Sequence, residues 1–282
     1  MAGRSYRILR RFMAGVCLVS VAALPAGSSV AGPAGATSVR VLQMNLCNSG
    51  MAGCYTGRSV AEASRVIRVE KPGLVALNEV CADDVAALER TMAGVHAGGT
   101  VVAAFRAARN RRTGGPYRCL NGEEYGVGLL AHIPAPYRGH TVHSGIYPMQ
   151  DAADPEERAW LCVDATSALS ACTTHLAYTS PVLALAQCAY LLGTAIPLVR
   201  LRDPRQPAVV SGDLNLRHGG SPDVRSCVPS DYLHSHDGAV QQLMATGGLA
   251  VHSSRSVGMG GTTDHPSFLV TLTVGRGRSR AH

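Results

Sequence analysis

The stretch Val209-Val210-Ser211-Gly212-Asp213-Leu214-Asn215-Leu216 ends an apolar run on a carboxylate and an amide two positions apart. In a strand, residues two apart face the same side. Asp213 and Asn215 therefore aim at one place just past the strand's end. Gly-Asp and Asn are also ordinary turn formers, so this stretch alone leaves a turn and a reactive site equally open. The rest of the chain repeats the pattern. Asn45, Glu79, His175, Asp264 and His265 also follow apolar runs. Singly, Glu79 reads as a surface helix cap, His175 as a satisfied core histidine and His265, before Pro266, as a turn residue. An apolar strand that delivers a polar group without a partner is destabilised. Seven such ends together point to one shared polar site of carboxylates, amides and imidazoles.

The elements that must hold these residues alternate between strand and helix patterns. Residues 39–46 read as a strand ending at Asn45, and a glycine-rich loop follows from Cys47 to Gly57. Ser59, with Glu62 three residues on, reads as a helix cap before Val60, Ala63 and Ile67. Lys71-Pro72-Gly73 ends that helix. Leu74–Leu77 is a buried strand delivering Asn78 and Glu79, and Asp83–Leu88 a short helix. Thr100–Phe105 and Tyr125–His132 are strands on either side of an irregular stretch with Arg106, Arg109, Arg111, Arg112 and Arg118, read as a solvated loop or a substrate-facing basic rim. Residues 133–158 form a long Pro/Gly-rich stretch with an acidic end. Ala159–Ala165 and Ala171–Leu176 form a hairpin, Pro181–Val199 an apolar helix, and 217–236 a loop. Ser267–Val274 is the last strand. No internal repeat and no domain linker is visible.

The chain has 282 residues and is 46% hydrophobic and 16% charged. This composition suits one large core and excludes a disordered chain. Its formal charge is +7, but four of the 26 basic residues (Arg4, Arg7, Arg10 and Arg11) lie in the first twelve positions without an acid. The basic balance is thus weak support for a polyanionic partner. Residues 1–36 read as a signal peptide: a basic start, the apolar run Phe12–Leu24, and small residues to Ala34-Gly35-Ala36. That run is short for a membrane span, so the expectation is a secreted, extracellular chain with no span after cleavage. Without Cys17, eight cysteines remain, an even number that suits disulfides in an exported chain. Cys47–Cys54 and Cys162–Cys172 are the closest in sequence. Cys81, Cys119, Cys188 and Cys227 remain, with Cys81–Cys119 and Cys188–Cys227 expected out of the three possible divisions.

Gln43-Met44-Asn45, Leu77-Asn78-Glu79, Thr174-His175-Leu176, Gly212-Asp213-Leu214-Asn215 and Asp264-His265-Pro266 occur in order over residues 39–274. On these motifs the chain resembles the endonuclease/exonuclease/phosphatase superfamily, whose members share the deoxyribonuclease I-like fold. The resemblance implies an α/β four-layered sandwich over residues 37–275, with two packed mixed β-sheets flanked by helices; the basic residues of 276–282 read as a disordered tail beyond it. It implies Glu79, Asn45 and Asp264 around a divalent cation, Mg²⁺ or else Mn²⁺ or Ca²⁺. It implies Asp213 as the residue that orients or deprotonates water, Asn215 on the phosphate, and His175 and His265 as donors to phosphate oxygens. Two positions depart from the pattern. Asp237 matches by position only the aspartate that would orient the last histidine. The glutamate expected beside His175 could be Glu123 or Glu124. The activity implied is metal-dependent phosphoester hydrolysis, with a secreted nuclease or phosphodiesterase first and a phosphomonoesterase second. A sphingomyelinase-like lipid phosphodiesterase is disfavoured by one Trp and three Phe. An inactive exported binding protein on the same scaffold is the reading of another class. The partner implied is a phosphoester substrate, nucleic acid included, and no stable protein partner.

Overall fold

The computed structural model describes residues 38–246 and 248–274. The expected signal peptide and basic tail lie outside the described residues. In chain order the elements are β1 (Ser38–Asn45), α1 (Ser59–Glu70), β2 (Leu74–Cys81), α2 (Ala82–Ala93), β3 (Thr100–Ala107), β4 (Arg109–Asn110) and β5 (Tyr125–Ile133). There follow β6 (His140–Ile146), β7 (Glu156–Glu157), β8 (Ala159–Ala165), β9 (Leu169–His175) and α3 (Pro181–Tyr190). A π-helical turn (Leu191–Ala195) joins α3 to α4 (Ile196–Val199), and β10 (Ala208–Asp213), β11 (Tyr232–His236), β12 (Gln241–Thr246), β13 (Leu249–Val257) and β14 (Ser267–Val274) complete the chain.

Two six-stranded sheets form, ordered β13-β14-β1-β2-β5-β3 and β11-β12-β10-β9-β8-β6. Each has one parallel pair at its centre, β1 with β2 and β9 with β10, and the remaining neighbours are antiparallel. Both are therefore mixed, as expected. The inner faces share one apolar core, in which Leu129, Val270 and Phe268 meet Leu161, Val209 and Leu243. The outer face of the first sheet is covered by α1 and α2 through Ile67, Leu88 and Met92. That of the second is covered by α3 and α4 through Ala184, Leu191 and Ile196. The result is the four-layered sandwich, each layer hiding the apolar face of the next.

The helix over Pro181–Arg202 is long and apolar enough to cross a membrane by length and composition. Its buried stripe instead packs on the second sheet, and Cys188 is bonded to Cys227. The other disulfides are Cys47–Cys54, Cys81–Cys119 and Cys162–Cys172. All four expected pairs are present, and Cys162 and Cys172 sit directly opposite in the β8–β9 register.

Local readings needed correction in several places. Ser59 is the first helical residue and does not cap α1; its hydroxyl donates to Asn48 Oδ1, while Glu62 pairs with Arg65. α2 runs to Ala93, well beyond Leu88. Six strands arise in stretches read as loops or given no element: β4, β6, β7, β11, β12 and β13. Of these, β6, β11 and β13 are edges of the six-stranded sheets, where the missing neighbour removes the demand for a clean apolar alternation.

Candidate active site

The parallel pair of each sheet runs toward the same end of the sandwich, and the polar residues sit where these strands finish. Asn45 lies opposite Asn78 in the β1–β2 register, and Asp213 opposite His175 in the β9–β10 register. Glu79 is re-aimed by a bulge: the β2–β5 register shifts between Asn78 and Val80, and Glu79 takes φ 56°. Asn215, just past β10, takes φ 51°. Left-handed backbone at such residues is destabilising and is held only where the surroundings over-determine it.

The two sheets are joined here by amides. Asn45 Nδ2 donates to Glu79 Oε1 at 2.8 Å and to Asp213 Oδ2 at 3.1 Å. One amide thus brackets a carboxylate from each sheet. Its Oδ1 accepts from Cys47 N–H at 3.1 Å, which fixes the amide's orientation. In this arrangement the NH₂ group of Asn45 faces the site and spaces the two carboxylates. Asn78 is fully buried. Its Oδ1 accepts from Gln43 Nε2 at 2.6 Å and from Asp213 N–H at 2.8 Å, and its Nδ2 donates to Thr174 O at 3.0 Å. It stitches the Asp213 and His175 strands to β2. Asn215 N–H donates to Asp213 Oδ1 at 3.0 Å, and Asn215 Nδ2 to Leu176 O at 2.9 Å.

The imidazoles flank the carboxylates. His175 Nε2 is 3.9 Å from Glu79 Oε1. His265 Nε2 is 3.7 Å from both Asp213 Oδ2 and Asp264 Oδ2. Burial raises the Glu79 and Asp213 carboxyls above their ordinary range, against the hydrogen bond from Asn45 to Glu79 and the charge of His265 on Asp213. Burial lowers His175 well below the ordinary imidazole range, and neighbouring Arg158 adds to this. The residues surround an open cavity of 490 Å³, lined also by Met51, Tyr117, Tyr125, Asp154, Glu156 and Tyr178.

The donor set fits a hard divalent cation. Asp213 is a buried carboxylate and Glu79 a partly buried one, with no Lys or Arg at ion-pair distance among the described residues, and Asp264 adds a third, exposed one at the cavity. Oxygen donors left short of positive charge suit such a cation, Mg²⁺, Mn²⁺ or Ca²⁺ alike.

Of the expected site residues, Asn45, Glu79, His175, Asp213, Asn215, Asp264 and His265 come together. Asp237 does not. Its Oδ1 accepts from Ala239 and Gln241 N–H, so it shapes the turn into β12. The side chain reaching the last histidine's segment is Gln241, which donates to Pro266 O. Glu123 and Glu124 are not beside His175 either; Glu123 accepts from Asp83 N–H and Asn121. The partner of His175 Nδ1 is Arg158, whose Nη1 lies 3.0 Å away. Three of the five arginines of the expected basic rim are engaged with their own surroundings. Arg109 pairs with Glu157, Arg111 donates to Asp154 O, and Arg118 donates to Gly122 O. These arginines tie the 106–118 loop to itself and to the acidic loop carrying Arg158. Arg158 was not recognised from sequence, and Asn78 entered only as part of the Leu77-Asn78-Glu79 motif, with no role of its own. Asn78 had a signal, a buried-strand amide needing partners. Arg158 had only its place between acids and a strand.

No protein-family model and no curated protein matches the chain. Among solved structures it is similar to an endonuclease/exonuclease/phosphatase from Beutenbergia cavernae DSM 12333, at 18% identity and TM-score 0.61, over 84% of this chain and 72% of that one. It is similar to a mannosyl-6-phosphatase from Bacteroides thetaiotaomicron VPI-5482 at 11% identity and TM-score 0.60, over 83% of this chain and 99% of that one. It is similar to the human Nocturnin catalytic domain with bound sulfate at 14% identity and TM-score 0.60, over 84% of this chain and 93% of that one. At these identities the likeness is one of fold.

Proposed function

We propose that this chain, which has the deoxyribonuclease I-like fold of endonuclease/exonuclease/phosphatase proteins, is an exported, metal-dependent phosphoesterase. The observation that carries the reading is the bracket at Asn45. It holds Glu79 from one sheet and Asp213 from the other around a common point, with His175 and His265 on either side. Glu79 and Asp264 would hold a divalent cation, which supplies charge neutralisation and polarisation of the phosphoryl oxygens when bound. Asp213 holds the attacking water, oriented by its bonds to Asn45 and Asn215. Water oxygen bonds to phosphorus, the ester P–O bond breaks, and a proton ends on the leaving oxygen. His175 and His265 stabilise the charge that develops on the phosphoryl oxygens.

Phosphodiester hydrolysis remains the first choice, with phosphomonoester hydrolysis as the second reading. Arg109, Arg111 and Arg118 of the 106–118 loop are engaged, which leaves fewer cations to face a polyanion and favours a small phosphoester over duplex nucleic acid. Four disulfides support export, which with cleavage near Thr37 is part of the proposal. The test is hydrolysis of bis-p-nitrophenyl phosphate and p-nitrophenyl phosphate, with Mg²⁺ and with chelator, by wild type and Asp213→Asn. Activity should need the cation and fall at least about 100-fold in the variant. Undiminished activity in Asp213→Asn would remove the bracket from the chemistry.

A further inference from the structure

We propose that Arg158 is a positioning residue that presents His175 to the substrate in the tautomer carrying its proton on Nε2. In this form His175 donates a hydrogen bond during the reaction and does not act as its base. The catalytic half of this inference rests on the phosphoesterase reading; the tautomer does not.

Arginine offers five N–H donors and no acceptor. With Arg158 Nη1 at 3.0 Å from His175 Nδ1, the hydrogen between them belongs to the guanidinium and the lone pair to Nδ1. A proton on Nδ1 would set two N–H groups head to head in a buried place. The remaining proton of a neutral ring must then sit on Nε2, the nitrogen on the side of Glu79. A carboxylate at Nδ1 would do the reverse. It would accept from Nδ1–H and leave a lone pair on Nε2, free to take a proton from water. Replacing an acceptor by a guanidinium therefore reverses what the imidazole can do.

The guanidinium is not free to turn away. Nη2 donates to Asp154 Oδ2 at 3.0 Å, and Nη1 lies 3.1 Å from Glu156 Oε1. The group also faces the Tyr178 ring at 5.5 Å, and its side chain is 3% exposed. The backbone is clamped by one amide: Gln150 Oε1 accepts from Arg158 N–H at 2.7 Å, and Gln150 Nε2 donates to Arg158 O at 2.8 Å. The acidic end of the 133–158 stretch thus has a defined task. It fixes one cation behind one histidine, and the base must be sought at Asp213 or His265.

Histidine-selective ¹⁵N labelling of the full chain at neutral pH, read through two-bond proton–nitrogen correlations, reports the tautomer directly. His175→Gln identifies the signal. The expected result is a pyridine-like Nδ1 and a pyrrole-like Nε2. An Nδ1-protonated or doubly protonated ring overturns the proposal, and this reading needs neither turnover nor a variant of Arg158. In Arg158→Met the signal should shift toward a mixture of tautomers, and kcat should fall about 10- to 100-fold with KM little changed. A folded Arg158→Met protein with wild-type kcat overturns the positioning role. Absence of phosphoester hydrolysis in the wild type would refute the proposed function, and with it the catalytic half, while the spectrum still decides the tautomer.

Discussion

Asn78 makes four interstrand contacts from one side chain, and that concentration can be tested by substitution. In Asn78→Leu the Asp213 N–H and Thr174 O lose their partner in a place closed to water. A buried donor or acceptor left unpaired is destabilising by about 1–3 kcal/mol, so the variant should lose about 2–5 kcal/mol in denaturant unfolding. A loss below 1 kcal/mol would mean that the strands hold their register without it. Glu156 gives a pH-dependent test. Burial, partly offset by Arg158, pushes its carboxyl up to about 7 from an ordinary 4.5. Between these values the folded chain binds more protons than the unfolded one, so this contribution to stability is present at low pH and is lost as pH rises toward 7. His175 acts in the opposite sense: its lowered folded value makes its contribution present above the ordinary 6.5 and lost as pH falls. Glu156→Gln removes only the first. Its stability relative to wild type should increase as pH rises from about 4.5 to 7 and then level, read by thermal unfolding at stepped pH. A difference independent of pH would count against a raised Glu156. At this scale the legible residues were polar groups at the ends of apolar runs. Arg158 was not legible, because arginine in an acid-rich loop is ordinarily solvated and nothing local says that it is buried.

The strands and helices that carry the site were legible because they lie in the middle of each sheet. β1, β2, β9 and β10 have neighbours on both edges and apolar cover on both faces, so Leu74–Leu77 and Val209–Val210 read as continuous apolar runs. The edge strands β6, β11 and β13 carry His140, His234, His236, His252 and several serines, and their pattern is that of a loop. A repeat of architecture was hidden for a related reason. Taken from β6, the second sheet follows β6-β8-β9-β10-β12-β11, and the first follows β13-β14-β1-β2-β5-β3. Each is an edge hairpin, a parallel crossover through a helix, and a returning hairpin. Only backbone geometry is repeated, so the sequence shows nothing at a fixed period. The long helix gives a prediction at this scale. Ile196 is fully buried against the second sheet. Ile196→Ala should lower stability by about 2–5 kcal/mol while the folded variant keeps its kcat, as Ile196 is not among the cavity-lining residues. A loss of kcat in the folded variant would show that the helix also tunes the site.

For the molecule as a whole, the fold and the order of its motifs were readable because they depend on buried patterns and strand-end residues. The cross-links were readable only in part. Spacing supports Cys47–Cys54 and Cys162–Cys172, but Cys81–Cys119 and Cys188–Cys227 join cysteines 38 and 39 positions apart, which only the folded chain brings together. Each should stabilise by about 2–4 kcal/mol, mainly by restricting the unfolded chain. Non-reducing peptide mapping should return these four pairs, and free thiols at these positions in the native protein would refute them.

Each of those bonds closes within one part of the chain. Cys47–Cys54 and Cys81–Cys119 lie before β6, and Cys162–Cys172 and Cys188–Cys227 after β5. Between these strands, residues 134–138 are exposed. A chain split after Arg138 would be two oxidised pieces with no covalent tie between them, joined by β1 against β14 and by the shared core. Glu79 would belong to one piece and Asp213 to the other. Activity should then be absent from each piece and return on mixing, with a dependence on concentration that the intact chain lacks, which makes turnover itself a measure of how tightly the two parts recognise each other.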